Sequence, residues 1–147
     1  MSNTVQTVTG SIPTKQMGIT LTHEHLYIDC KSLYERAHPD LHMSDEKVSV
    51  QNRGRVTADI QSMVFGYGDN LVFDDIELMA KELKPCLDAG CRTIVEVTSR
   101  DLGRNPEKLL ELSRKSGMQI IMGGGYYDFP SLPPAEKEGV LQGGKNK

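Results

Sequence analysis

The sequence has no long hydrophobic run and few cysteines. No apolar segment approaches the roughly 18 residues that a membrane-spanning helix needs, and the N-terminus lacks the basic and apolar stretches of a secretory signal. The three cysteines, Cys30, Cys86 and Cys91, form no Cys-x-x-Cys pair, so neither a disulfide framework nor a cysteine-based zinc site is expected. These absences predict a cytoplasmic protein with reduced thiols and no membrane partner.

Concentrated positive charge is also absent. Seventeen basic and 20 acidic residues give a net charge of -3, and the lysines and arginines are scattered along the chain, which argues against nucleic acid as a partner. A charged fraction of 25% beside a hydrophobic fraction of 37% is typical of a globular protein. With 147 residues, the chain is long enough for one domain with a hydrophobic core.

One motif suggests chemistry: Thr22-His23-Glu24-His25, which follows the apolar run 17–21. Run and motif together predict one β-strand. Because side chains alternate along a strand, His23 and His25 are expected on one face and Glu24 on the other. Two imidazoles at the end of a strand are suitable ligands for zinc or another divalent transition metal. The alternative is that they are satisfied polar residues of the strand, with Glu24 as a structural ion-pair partner.

Further strand signals flank this motif. Residues 4–9 alternate and residues 10–13 supply a turn, which predicts a small strand or hairpin before the histidine strand. The runs 92–98 and 118–122 are rich in β-forming residues and predict a second and a third strand. Strand, crossover, strand, helix, strand is typical of a parallel sheet built from βαβ units.

Two helices are predicted between and after these strands. The first has a capping box that begins at Asp74 and a stop at Gly90, and Pro85 is expected to kink or shorten it. The second begins at Asn105, which is followed by proline, and ends at Gly117.

The whole chain, residues 1–147, is predicted to be one α/β domain. Its parts are an N-terminal hairpin over 1–16, three βα units over 17–130 and an irregular tail over 131–147. Within the long connection after the first strand, residues 55–65 have the spacing of a short helix.

Several segments carry a family resemblance. They are Thr7-Val8-Thr9-Gly10 with Ile12-Pro13, Gly18-Ile19-Thr20-Leu21-Thr22-His23-Glu24-His25-Leu26, Asn70-Leu71-Val72-Phe73-Asp74-Asp75, the strand from Gly90 to Thr98, Leu102-Gly103-Arg104-Asn105-Pro106 and Gly123-Gly124-Gly125-Tyr126-Tyr127. In this order they resemble the N-terminal portion of the phosphotriesterase-like family of the amidohydrolase superfamily. The most specific part is Thr-His-Glu-His after a Gly-x-Thr-Leu strand.

The resemblance implies the fold and the reaction. Family members are (β/α)₈ (TIM) barrels with a binuclear metal centre, often zinc, in which His23 and His25 would bind the more buried ion. A lysine or glutamate on the fourth strand, histidines on strands five and six and an aspartate on strand eight complete the centre. A metal-activated hydroxide attacks an ester-type bond, as in phosphotriester or lactone (carboxylic ester) hydrolysis. The resemblance thus implies a metal-dependent hydrolase with a small-molecule ester substrate.

The sequence carries only strands one to three of this barrel, so the catalytic residues are not identified. The other histidines, His38 and His42, do not lie on a following strand. We therefore expect a truncated chain that is inactive alone. Two alternatives are another His-x-His barrel, such as a TatD-like nuclease or a polymerase-and-histidinol-phosphatase-type phosphoesterase, and a catalytically silent fragment. The fragment would associate with another chain, including a second copy, through its open sheet edge.

Residues after the second and third strands are candidates for substrate binding. Arg100, Asp101 and Arg104 follow the second strand, where the arginines are suited to an anionic or polar substrate. Tyr126 and Tyr127 end the third strand, and in lactonase-like relatives a tyrosine in this region faces the substrate. The alternatives are a solvated loop for the arginines and packing at the barrel rim for the tyrosines.

Overall fold

The computed structural model describes residues 3–37, 39–40, 71–127 and 134–143. The helix predicted over 55–65 and both His38 and His42 lie outside these ranges. No helix within them has the length and the hydropathy of a membrane-spanning segment.

The described residues have an α/β arrangement. The strands are β1 (Thr4–Thr7), β2 (Gly10–Pro13), β3 (Ile19–Glu24), β4 (Ile28–Asp29), β5 (Val72–Phe73), β6 (Cys91–Glu96) and β7 (Gln119–Met122). The α-helices are α1 (Lys31–Ala37), α2 (Ile76–Asp88), α3 (Pro106–Ser116) and α4 (Pro134–Gly143). Short 3-10 helices lie at Thr14–Gln16 and Arg100–Leu102.

A parallel sheet of three strands, in the order β3-β6-β7, organises the chain. Parallel strands need crossover connections, and α3 supplies the one from β6 to β7. The second strand ends two residues earlier than the sequence predicts, at Glu96, so Val97 and Thr98 begin the following loop. A hairpin followed by a three-stranded parallel sheet is the arrangement that the sequence predicts for the first part of a (β/α)₈ barrel.

The hydrophobic core lies between this sheet and helices α2 and α3. Ile94 of β6, Leu109 and Leu112 of α3 and Ile120 of β7 are almost completely buried. Helices α2 and α3 also contact each other. Burial of these aliphatic side chains, at about 1.5–3 kcal/mol each, holds the two helices on one side of the sheet and fixes the loops at the strand ends.

The N-terminal hairpin differs from the prediction in the place of its turn. β1 pairs antiparallel with β2, and Gly10 is already opposite Thr7. Residues 10–13 therefore form a strand, and Val8 and Thr9 make the turn. Gly10 has a φ of 132°, which other residues rarely adopt, and this conformation lets the chain reverse before Gly10 rather than after it.

Helix α2 corrects the predicted N-cap and the expectation that Pro85 shortens the helix, while no observation tests the predicted kink. Asp75 rather than Asp74 is the N-cap, because its Oδ1 accepts a hydrogen bond from the backbone nitrogen of Leu78 at 2.9 Å. Pro85 neither ends nor shortens the helix, which continues to Asp88. Pro85 lies in the last turn on the exposed side, so its missing N–H removes only one hydrogen bond near the helix end.

Helix α3 confirms its predicted limits. Asn105 Oδ1 accepts a hydrogen bond from the backbone nitrogen of Lys108 at 3.0 Å, and Pro106 is the first helical residue. Gly117 ends the helix with a φ of 79°, the left-handed conformation that glycine adopts without strain.

The sequence-based interpretation lacks the strands β4 and β5 and the helices α1 and α4. β4 and β5 form a small antiparallel pair, in which Ile28 is opposite Phe73. The prediction of an irregular tail over 131–147 is wrong for residues 134–143, which form α4, and a helix therefore follows the third strand. Residues 135–138 are Ala-Glu-Lys-Glu, which have high helix propensity but no apolar periodicity, so pattern reading does not detect them.

Candidate metal and substrate site

The two candidate metal ligands lie side by side at the carboxyl end of β3. His23 belongs to the strand and His25 is the first residue past it. Their rings meet edge to face, with centroids 5.6 Å apart and planes inclined by 78°. The pairing register of β3 shifts between Leu21 and Glu24, so simple alternation does not describe this end of the strand. The rings nevertheless meet, and together they offer two imidazole nitrogens.

Electrostatics favour the neutral form of His25. Partial burial is the largest cause that lowers the pKa of this imidazole, and the neighbouring His23 lowers it further. The carboxylate of Glu24 acts in the opposite direction but does not cancel the shift. Because metal ions bind the neutral imidazole, this environment keeps His25 in its binding form down to a lower pH.

A series of hydrogen bonds links His25 to Glu96 through Thr98. The Nδ1 of His25 lies 2.9 Å from Thr98 Oγ1, and Thr98 Oγ1 donates a short hydrogen bond to Glu96 Oε1. The backbone nitrogen of Leu26 donates to the same oxygen at 3.4 Å. Sequence reasoning missed Glu96 and Thr98, although a carboxylate within the apolar strand 92–98 was a signal that could have found them.

Glu96 is an unusual carboxylate because its side chain is completely buried. Desolvation is the largest effect and raises its pKa, while the hydrogen bonds from Thr98 and Leu26 and the charge of Arg104 lower it. Its second oxygen, Oε2, has no hydrogen-bond partner within the part of the chain that the structure describes. Buried carboxylates are costly unless they are satisfied, so Glu96 is a candidate for a functional role.

The loops after β6 and β7 are joined by side-chain contacts to backbone. Both carboxylate oxygens of Asp101 accept from the backbone nitrogen of Tyr127, each at 2.9 Å, and the Ser99 hydroxyl also donates to Asp101. Arg104 Nη1 donates to the carbonyl of Gly123 at 2.8 Å. Arg104 and Asp101 therefore bind backbone and position the loop that bears the tyrosines.

The substrate-binding candidates are brought together with the histidines. A cavity of about 210 Å³ is lined by His23, His25, Tyr126 and Tyr127, together with Val97, Ser99, Leu102 and Gly124. Arg100 is exposed and donates to the Tyr126 hydroxyl at 3.4 Å, so it borders this cavity through the tyrosine. A larger cavity of about 510 Å³ lies over β5 and α2 and contains none of these residues.

The described residues bring together only two of the ligands that a metal site would need. They contain no cluster of three or more His, Cys, Asp or Glu side chains that could hold an ion. His23 and His25 are therefore two candidate ligands beside a cavity of about 210 Å³, and zinc requires about four ligands in total.

Comparisons with known proteins agree with this arrangement. A sequence model of the Phosphotriesterase family matches residues 3–132. The Phosphotriesterase-related protein of Nematostella vectensis is 33% identical over 144 residues, which cover 96% of this chain and 41% of that protein. The N-acetyltaurine hydrolase of Dictyostelium discoideum is 30% identical over 145 residues, which cover 84% of this chain and 38% of that protein. The chain thus spans about two fifths of the length of these relatives.

A solved structure matches as well. A resiniferatoxin-binding protein from Rhodobacter sphaeroides superposes with a TM-score of 0.75 at 34% sequence identity, over 91% of this chain and 37% of that chain. The similarity therefore extends from sequence to backbone arrangement.

Proposed function

The chain belongs to the phosphotriesterase family of hydrolases, and on that premise we propose that His23 and His25 are the first-strand ligands of a metal-dependent hydrolytic site. One observation carries this proposal. The two imidazoles lie edge to face, with ring centroids 5.6 Å apart, and they line one cavity with Tyr126 and Tyr127. The site would act on a small-molecule ester, either a phosphotriester or a lactone or other carboxylic ester.

The donor set fits zinc or another divalent transition metal. Both candidate ligands are imidazoles, and the hydrogen bond between His25 Nδ1 and Thr98 Oγ1 leaves the other ring nitrogen available. When bound, such an ion would supply Lewis-acid activation of water and of the bond under attack. The remaining ligands and the proton acceptor are not among the described residues, so we expect the 147-residue chain alone to bind metal weakly and to have no hydrolytic activity.

The chain's own residues would orient the substrate. Tyr126 and Tyr127 form an aromatic wall beside the histidines, which suits an apolar leaving group or acyl chain. Arg100, held near Tyr126, would attract an anionic or polar substituent at the rim. The name of the Dictyostelium discoideum relative specifies N-acetyltaurine, a sulfonate that contains an amide bond, so an amide is the second substrate class to test.

Zinc titration of the chain tests the ligand assignment. We expect wild-type protein to bind Zn²⁺ more tightly than His23→Ala and His25→Ala, because each variant leaves only one of the two imidazoles. A matched control is a lysine-to-alanine change at exposed Lys84, which is remote from the site and should leave binding unchanged. Equal affinity in the wild type and both histidine variants would refute the metal role.

Activity assays test the reaction class. An aryl phosphotriester, an aryl lactone and N-acetyltaurine are incubated with the chain and Zn²⁺, with His25→Ala as the background. We expect no turnover above this background from the chain alone, and turnover that depends on His25 would show that the 147-residue chain suffices for catalysis.

A catalytically silent, associating chain is the second proposal. In the three-strand sheet β3 is an outer strand, and its side chains Ile19 and Leu21 are 61% and 37% exposed. An outer strand with exposed aliphatic side chains favours pairing with another chain. The oligomeric state of the protein in solution tests this proposal.

A further inference from the structure

His25 is connected to a buried carboxylate through one hydroxyl group. Its Nδ1 lies 2.9 Å from Thr98 Oγ1, and Thr98 Oγ1 in turn contacts Glu96 Oε1. Thr98 and Glu96 are both completely buried, so water does not compete for the bond between them. Hydrogen bonds in such a dry environment are stronger and hold their groups in fixed orientations.

The direction of each hydrogen bond follows from the groups that can only donate or only accept. The backbone nitrogen of Leu26 can only donate, and it points at Glu96 Oε1 at 3.4 Å, which makes that oxygen an acceptor. The same Oε1 receives the hydroxyl hydrogen of Thr98. This assignment holds for the ionised carboxylate of Glu96, whose oxygens can only accept.

The tautomer of His25 is then determined. A threonine hydroxyl has one hydrogen, and that of Thr98 is used toward Glu96. Toward His25 the hydroxyl oxygen can therefore only accept, so Nδ1 of His25 must carry the hydrogen. The lone pair of the neutral ring is left on Nε2.

We propose that Thr98 and Glu96 are positioning residues that hold His25 in the Nδ1–H tautomer and present its Nε2 to a metal ion. The ring nitrogen that binds a metal is set by the hydrogen bond that the other nitrogen makes. Here the anchor is a two-step relay, from imidazole to hydroxyl to carboxylate, and Glu96 is fixed by the Leu26 backbone. The inference deepens the proposed function of the same site, but the tautomer itself is measurable without metal.

NMR of the metal-free chain tests the relay directly. Two-bond ¹H–¹⁵N correlations of the neutral imidazole distinguish Nδ1–H from Nε2–H. We expect His25 of the wild type to be Nδ1–H, and Thr98→Val to shift it toward Nε2–H because the acceptor is lost. Thr98→Ser keeps a hydroxyl at this position and should keep the wild-type tautomer. Glu96→Gln should also keep it, because the amide oxygen can still accept from Thr98.

Thr93→Val is a matched control, because it makes the same change at a buried threonine within β6. Thr93 is also completely buried on β6, but its hydroxyl donates to the carbonyl of Met17 at 2.6 Å, far from His25. Thr93→Val should therefore leave the His25 tautomer unchanged. If Thr98→Val does not fold, Thr98→Ala removes the hydroxyl without a second methyl group. An Nε2–H tautomer in the wild type, or no change on loss of the hydroxyl, would overturn the relay.

Zinc affinity separates the relay from the ligand assignment. Loss of such a supporting contact typically weakens metal binding about 10–100-fold, so we expect Thr98→Val to bind Zn²⁺ weaker by that factor and Thr93→Val to bind like the wild type. If histidine-dependent zinc binding and the tautomer are both unchanged in Thr98→Val, the relay is wrong and the metal role stands. If the tautomer changes but the wild type binds no zinc through the histidines, the relay stands and the metal role fails.

Discussion

The backbone nitrogen of Tyr127 donates to both carboxylate oxygens of Asp101, at 2.9 Å each. This contact joins the loop after β6 to the loop after β7 across 26 positions of sequence. A carboxylate that receives a backbone N–H forms a charge-assisted bond, and the Ser99 hydroxyl adds a second donor to Asp101. The contact therefore determines where Tyr127 stands relative to the histidines.

Removal of this carboxylate should loosen the tyrosine loop. We expect Asp101→Ala to destabilise the protein by about 1 kcal/mol and to increase hydrogen exchange at the Tyr127 amide, because that donor loses its acceptors. Asp101→Asn keeps one acceptor oxygen, so its stability and its Tyr127 exchange rate should lie between those of the wild type and of Asp101→Ala. Urea unfolding and amide exchange provide the measurements.

A surface carboxylate serves as the control for Asp101. Asp88 pairs with Lys84 one turn away on α2, and both side chains are largely exposed. Asp88→Ala should cost no more than about 0.5 kcal/mol and leave the Tyr127 amide unchanged. Unchanged exchange at Tyr127 in Asp101→Ala would contradict the role of the contact.

Two adjacent glycines provide a second test of the same loop. A Cβ on Gly123 would lie 2.9 Å from the carbonyl oxygen of Glu96 and 3.2 Å from Val97 Cα, whereas a Cβ on Gly124 meets nothing within 4 Å. Both neighbours of Gly123 are backbone atoms that cannot rotate away. We expect Gly123→Ala to cost about 1–3 kcal/mol and Gly124→Ala to cost little, as measured by urea unfolding. Equal stability of the two variants would show that the close approach is not needed.

Much of the fold follows from local signals in the sequence. The two ends of α3 follow from Asn105, which is followed by a proline, and from Gly117. Capping and left-handed geometry depend on only a few adjacent residues. The β-rich runs predict β6 and β7 because a parallel strand buried on the sheet needs such residues. The His-x-His motif likewise predicts that the two imidazoles adjoin.

The rest of the site depends on contacts between residues far apart in sequence. His25 and Thr98 are 73 positions apart, and Leu26 and Glu96 are 70 apart, so no local pattern connects them. Arg104 shows the same limit: its charge suggests a substrate contact, but the folded chain brings the Gly123 carbonyl within 2.8 Å. These pairings exist only once β3, β6 and β7 are aligned.

The buried carboxylate of Glu96 predicts a pH dependence of stability. Its pKa is raised in the folded state, chiefly by desolvation. Well below the ordinary glutamate pKa of 4.5, the group is protonated in both states and causes no penalty. As the pH rises, the unfolded chain releases the proton first, so the free energy of unfolding falls until the folded-state pKa is passed.

Comparison with Glu96→Gln isolates this contribution. Glutamine has similar shape and no titration, so the stability difference between wild type and variant should shift in favour of the variant as the pH rises from about 4.5. Urea unfolding at a series of pH values, in the presence of a chelator, gives the difference. A constant difference across this range would show that the Glu96 pKa is not raised.

The exposed side chains of β3 predict self-association through this outer strand. Leu21 is 37% exposed there, and a lysine on an edge strand opposes pairing by placing a charge where another chain would pack. We expect the wild type to form concentration-dependent oligomers in sedimentation velocity and Leu21→Lys to shift toward monomer. Leu78→Lys is the control, because Leu78 is 54% exposed but lies on α2 rather than on the outer strand. A wild type that remains a compact monomer at every concentration, or equal effects of the two lysine variants, would argue against association through β3.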